Sequence, residues 1–235
     1  MVQTSLRRLS TPRAAALAGV LFAVLFGTAL ALIRAALPEG AEPGSQWAIT
    51  GSTQIRVAAT LMPFAGIAFL WFIGVVRDGF GQFEDKFFSS VFIGSGLLFL
   101  AMMFASMAVG VAMVHSGASP VVDATARGEI DTFGQMLLLA FGKTYAVRMA
   151  AVFMISLATI WLKTGLMARW LVLTTYVTVV TLIIAADVSM WLTLAFPVWV
   201  LVVSLTLLSR AGVIDLDWRD DDHHGGRSVQ QPKRP

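Results

Sequence analysis

Along this chain apolar residues do not alternate with polar ones; they come in long runs separated by short charged links. Six such runs stand out, at about 14–33, 57–76, 89–114, 143–162, 169–187 and 190–209. Each is close to the ~20 residues that a helix needs to cross a hydrocarbon core roughly 30 Å thick. In lipid, backbone amides and carbonyls find no water, so a run of this length is satisfied by closing its own hydrogen bonds as a helix. The pattern therefore predicts an all-α fold, a polytopic transmembrane helical bundle of six spans. It divides the chain into a cytoplasmic amino-terminal segment 1–13, a six-helix transmembrane domain 14–210 and a charged cytoplasmic tail 211–235, expected to be disordered.

The links alternate in charge. Arg7, Arg8, Arg13, Arg77, Lys86, Lys163, Arg169, Arg210, Arg219, Arg227, Lys233 and Arg234 fall on one side of the layout; Arg34, Arg56 and Arg127 fall on the other. Twelve cations against three predict both termini in the cytoplasm of a cell (plasma) membrane. Trp71, Trp161 and Trp170 near inner ends and Trp191 near an outer end suit an aromatic belt, whereas Trp199 lies deep in the sixth run. The stretch "SLRRLS" is similar to a twin-arginine signal, but the first run is longer than the usual ~7–15 apolar residues of a signal peptide, so span one is expected to be retained.

Composition sharpens this picture. The chain is 57% hydrophobic and 13% charged, with a mean hydropathy of +0.77. Soluble domains average about 45–50% apolar and about 25% charged. Cysteine is absent, which removes disulfides, thiolate metal sites and cysteine nucleophiles. Asparagine is absent too, so there is no N-glycosylation acceptor. The net charge of +3 does not point to nucleic acid, because the basic residues flank the spans instead of forming one soluble face.

The sharpest anomaly is "LLLAFGKTYAVRMAAVFMIS", Leu137 to Ser156, a span that carries Lys143 and Arg148. A cation at the bilayer centre costs about 2.5–3.5 kcal/mol on insertion scales. Counted outward from Lys163 at 1.5 Å per residue, Arg148 lies about 22 Å along the helix and Lys143 about 30 Å. Lys143 reaches the headgroups by snorkelling. Arg148 is a candidate intramembrane polar site with Asp187, at the same outer level on the next span, and Tyr145, three residues earlier on its own face. Three readings stand: a structural Arg148–Asp187 pair, a lipid-facing snorkel, and an anion or proton site. In a regular helix Lys143 lies about 140° around from Arg148, so the two do not both point inward. Just before this span, Thr132 and Gln135 have capping-box spacing and mark a possible helix start. His115, Asp123, Glu129 and Asp131 lie on the same side and suggest an outer polar vestibule with Arg148 and Asp187.

Other patterns concern packing. Ala15, Gly19, Ala23, Gly27, Ala31 and Ala35 recur every fourth residue in span one and predict a helix-packing groove of the small-xxx-small kind. Thr174, Thr178 and Thr181 share a face of span five, where their hydroxyls are expected to bond back to their own helix. The link "VVRDGFGQFEDKFFSSVF" reads as a solvated turn with interfacial aromatics. The "DDDHH" run of the tail reads as solvated charge, not as a metal site. No HExxH, GxSxG, P-loop or dinucleotide fingerprint occurs, and His115 is the one histidine near a span, which leaves no bis-histidine haem within one chain. No cofactor and no catalytic residue is expected.

The stretch "WFIGVVRDGFGQFEDKFFSSVFIGSGLLFLAMMFA", Trp71 to Ala105, resembles uncharacterised six-span integral membrane proteins of high-GC bacteria. The resemblance implies a bacterial membrane location and no activity. The expected role is a structural or accessory subunit of an envelope complex, with the lipid bilayer, further copies of the chain or other membrane subunits as partners. The alternative is a small-solute or ion transporter working as an oligomer, with its site at Arg148 and Asp187.

Overall fold

The computed structural model describes residues 11–37, 51–78, 86–117, 123–165, 167–185 and 190–210, and the structural statements below concern these. All regular structure among them is helical: α1 (Thr11–Ala36), α2 (Ser52–Asp78), α3 (Lys86–Gly117), α4 (Ala124–Leu139), a π-helical turn (Ala140–Ala146), α5 (Val147–Thr164), α6 (Arg169–Ala185), a 3-10 turn (Met190–Leu194) and α7 (Ala195–Arg210). Five helical stretches are long and apolar enough to cross a membrane, and Arg169–Ile184 is a shorter apolar one. Asp187, the segment 1–10 and the tail 211–235 lie outside the described residues.

Several helices outrun the apolar runs that announce them. α2 begins at Ser52, a turn before Arg56, because a helix entering the headgroup layer tolerates exposed charge. The stretch Thr125–Thr164 is one helical run of 40 residues. It is about 60 Å long, twice the hydrocarbon thickness. It does not start at the Thr132–Gln135 spacing. Asp123 caps it instead, its Oδ1 accepting the Ala126 amide at 2.8 Å. Thr132 sits mid-helix and donates its hydroxyl to the Gly128 carbonyl at 2.8 Å. At the other end Gly165, at φ 65°, takes the left-handed conformation that closes α5, its amide reaching the Trp161 carbonyl at 2.9 Å.

Glycine contacts define the register. Going up α3, Gly96 lies under the Phe153 ring, Ser106 meets Gly142, Gly110 meets Leu138 and Met113 meets Gly134. The α3 numbers rise as those of the long run fall, so the two are antiparallel neighbours over their whole length. Ile73 against Gly96, Phe104 against Gly66 and Ile55 against Gly110 set α2 antiparallel on the other flank of α3. α1 packs chiefly on α2 and α7, and α6 chiefly on α5.

The centre is made of rings. Phe22 and Phe26 from α1, Phe69 and Phe72 from α2, Phe92 and Phe99 from α3, Phe153 from α5 and Phe196 and Trp199 from α7 interlock at centroid separations of 4.5 to 6.3 Å. Phe22, Phe69, Phe72, Phe92 and Phe153 have no exposed surface. Trp161 belongs to this core, not to an interfacial belt: it is 3% exposed and 6.1 Å from Trp199. Trp71, Trp170 and Trp191 are exposed. Trp199 donates its indole N–H to the Thr175 hydroxyl at 2.8 Å, which satisfies the one polar atom of a buried ring.

Candidate functional site

Several polar side chains meet where the longest helix changes register. Between Ala140 and Ala146 the hydrogen bonds widen from the α to the π spacing and then return. Such a switch leaves a carbonyl without its usual amide, and in lipid that group needs another donor. Two side chains reach carbonyls at its borders. Ser106 of α3 donates to the Leu138 carbonyl at 3.0 Å, and Arg148 donates through Nη1 to the Thr144 carbonyl at 2.8 Å. Gly142 lets α3 approach: a Cβ there would meet Ser106 Oγ at 3.1 Å.

Arg34, at the last turn of α1, comes to the same place. It donates through Nη2 to the Thr193 hydroxyl at 3.0 Å. Thr193 stands in the 3-10 turn that leads into α7, three residues before the ring of Phe196. Two small cavities adjoin here. One, of about 20 Å³, is lined by Leu30, Arg34, Met103, Ser106, Gly142 and Lys143 among others. The other, of about 10 Å³, is lined by Phe26, Leu30, Met103, Gly142, Thr193 and Phe196 among others. A water needs about 10–15 Å³, so neither admits a solute larger than one water-sized atom.

Of the sequence candidates, Tyr145 is 55% exposed. Arg148 is half-buried and turned back onto its own helix. Asp187 is outside the described residues. Lys143 does not simply snorkel away: it is half-buried and lines the cavity with Arg34. The 140° separation from Arg148 holds for a regular α-helix; the wider π turn brings residues five apart closer to one face. Arg34, Thr193 and Ser106 were not singled out by the sequence. Arg34 reads as a link charge, and nothing in the pattern pairs it with a threonine 159 positions away.

The proposed vestibule residues stand apart from this elbow. Asp131 is about 26 Å along the helix from Arg148. It is 3% exposed, and its buried Oδ1 has no hydrogen-bond partner. Asp123 caps its helix, exposed His115 bonds the Val111 carbonyl at 2.8 Å and Glu129 is exposed. Among the described residues no three His, Asp or Glu side chains are grouped to hold a metal.

The small-residue stripe winds around α1. Gly19 is buried against Ser204 of α7 and Phe72 of α2, and Ala23 is buried. Gly27 is half-buried with open space beside it, and Ala31 is exposed. Each four-residue step advances about 40° around a helix, so a stripe of six cannot stay on one face. The side chain of Ala15 is outside the described set. On α6, Thr174, Thr178 and Thr181 donate to the Leu171, Thr174 and Val177 carbonyls of their own helix.

No protein-family model, no curated protein and no solved structure matches this chain.

Proposed function

We propose that this chain crosses a bacterial cell membrane six times, with both termini cytoplasmic, and serves as a structural or accessory subunit of a membrane complex. The observation that carries the functional part is the filled interior. Rings from five helices interlock through the bundle centre, and the two small cavities beside the π turn hold no more than a water each. A solute path through one copy needs polar groups along a connected space, and here the buried polar side chains are scattered among apolar ones. The sixth crossing is supported by the 17 residues of α6, at the lower end of the roughly 17–25 that suffice. The orientation is supported by the twelve-to-three distribution of cations.

The test is purification in mild detergent with identification of every co-purifying chain. Stable, stoichiometric association with other membrane subunits is the expected result. A lone homodimer that takes up a solute in proteoliposomes, with uptake abolished by Arg148→Ala while folding is intact, would overturn the reading.

A further inference from the structure

We infer that Asp131 is a proton-binding site that latches α4 onto α3, so that acidification closes the pair and a rise in pH loosens it. The inference does not use the accessory role proposed above. Asp131 is the one acidic side chain buried among the described residues, at 3% exposure, and its Oδ1 has no hydrogen-bond partner. An ionised carboxylate only accepts, at about four lone-pair sites, and leaving them unanswered in an apolar contact is costly. Taking a proton removes most of that cost. The burial is built into the helix: α4 turns Asp131 and Gln135 inward and leaves Ile130, Phe133 and Met136 exposed. A helix placed by apolar burial alone takes the opposite orientation.

No described neighbour supplies a donor to Oδ1. Met113 of α3 packs on Gly134, and Leu138 packs on Gly110, so the contact beside Asp131 is apolar. Ser116, at the end of α3, gives its hydroxyl hydrogen to the Met113 carbonyl at 2.9 Å, and Thr132 gives its own to Gly128. α4 packs chiefly on α3 and on the π turn. The titratable group at this end of α3 is His115, exposed and bonded to the Val111 carbonyl. On the π turn, Lys143 and Tyr145 lie about 18 and 21 Å further along the helix. On α4 itself Asp123 caps the first turn, Glu129 is exposed and Arg127 stands one turn before Asp131. Asp131 lies about 48 Å along the helix from Lys163, beyond a hydrocarbon core roughly 30 Å thick. Burial pushes its carboxyl above the ordinary value of 3.8, and Arg127 pulls it back by less. The closed pair therefore holds the proton more tightly than the open one. Closure is strongest below about pH 4 and is lost as the pH rises to the raised value.

The experiment is backbone hydrogen exchange of the full chain in maltoside micelles from about pH 4 to about pH 8, with Asp131→Asn as the permanently neutral counterpart. Dividing wild-type by variant exchange across residues 124–139 cancels the intrinsic pH dependence of the amides. The ratio should be near one at the acid end. It should then climb about tenfold for each unit by which the buried carboxyl is displaced, and level off. Glu129→Gln, at an exposed acid of the same helix, should leave the climb intact. Helix content by circular dichroism identifies a variant that fails to fold. If Asp131→Asn does, exchange of α4 relative to α6, which carries no carboxylate, should climb in wild type over the same range. A ratio that does not change with pH overturns the site. A climb abolished equally by Glu129→Gln assigns the response to surface charge and overturns it as well.

Discussion

Truncating Phe153 is the most direct measure of how this bundle is held together. Its ring has no exposed surface and faces Phe92 at 4.5 Å, Phe69 at 5.2 Å, Phe196 at 5.9 Å and Trp199 at 6.3 Å. In a water-soluble protein Phe→Ala costs about 3–5 kcal/mol, part of it transfer of the ring out of water. That part is missing here, because lipid tails are as apolar as the core. What remains is the void and the ring geometry. Removing six carbons leaves roughly 100 Å³, and at about 24 cal/mol per Å³ of residual cavity this costs about 2.4 kcal/mol. The two nearest ring pairs add about 0.5 kcal/mol or more each beyond contact area. Phe153→Ala should therefore lose about 3–4 kcal/mol in reversible unfolding by dodecyl sulfate in mixed micelles, followed by circular dichroism. Leu173, 66% exposed on α6, is the control: Leu173→Ala should change stability by less than about 0.5 kcal/mol. A loss below about 1 kcal/mol at Phe153, or an equal loss at Leu173, would refute the claim that shape-matched rings stabilise the fold.

Other outcomes follow from single contacts. Gly19→Val drives a side chain into Ser204 and Phe72, and should cost about 2 kcal/mol or more in the same unfolding assay. Gly27→Ala, with nothing within 4 Å of the new methyl, should be neutral or stabilising by up to about 1 kcal/mol. Ser106→Ala removes the donor to the Leu138 carbonyl and should cost about 0.6–1.7 kcal/mol, the range for interhelical bonds in membranes. Because the chain has no cysteine, Thr4→Cys and Ser228→Cys can be labelled singly. Both should react with a membrane-impermeant maleimide from the cytoplasmic side alone.

The helices were legible because lipid imposes a length on them, and that length is visible in hydropathy. Their ends were less so. α2 starts at Ser52 and the long run at Ala124, both outside the apolar windows, since cap chemistry and tertiary contact set helix ends once the chain leaves the hydrocarbon. Asp123 has the residue type of a helix cap, but Thr132 with Gln135 offers a stronger-looking pattern three residues apart. The difference lies in α3, which extends to Gly117 and gives Gly134 and Leu138 a partner surface. The π turn left no mark in "AFGKTYA" beyond a glycine and a lysine. Ser106 of α3 is the neighbour that meets this turn, and a single sequence does not show neighbours. The aromatic core was hidden for a related reason. Phe22 and Phe26 share a face of α1 and stack at 5.1 Å, but only the packing shows which of the 16 phenylalanines meet.

These findings also change what an arginine in an apolar span means. Arg148 draws attention because a buried cation usually marks a pathway or a partner charge. In this bundle its guanidinium answers a backbone need: the Thr144 carbonyl, at the exit of the π turn, accepts from Nη1 at 2.8 Å. Ser106 does the same at the entrance. A helix that changes register in lipid has polar backbone to satisfy, so polar side chains collect around the change.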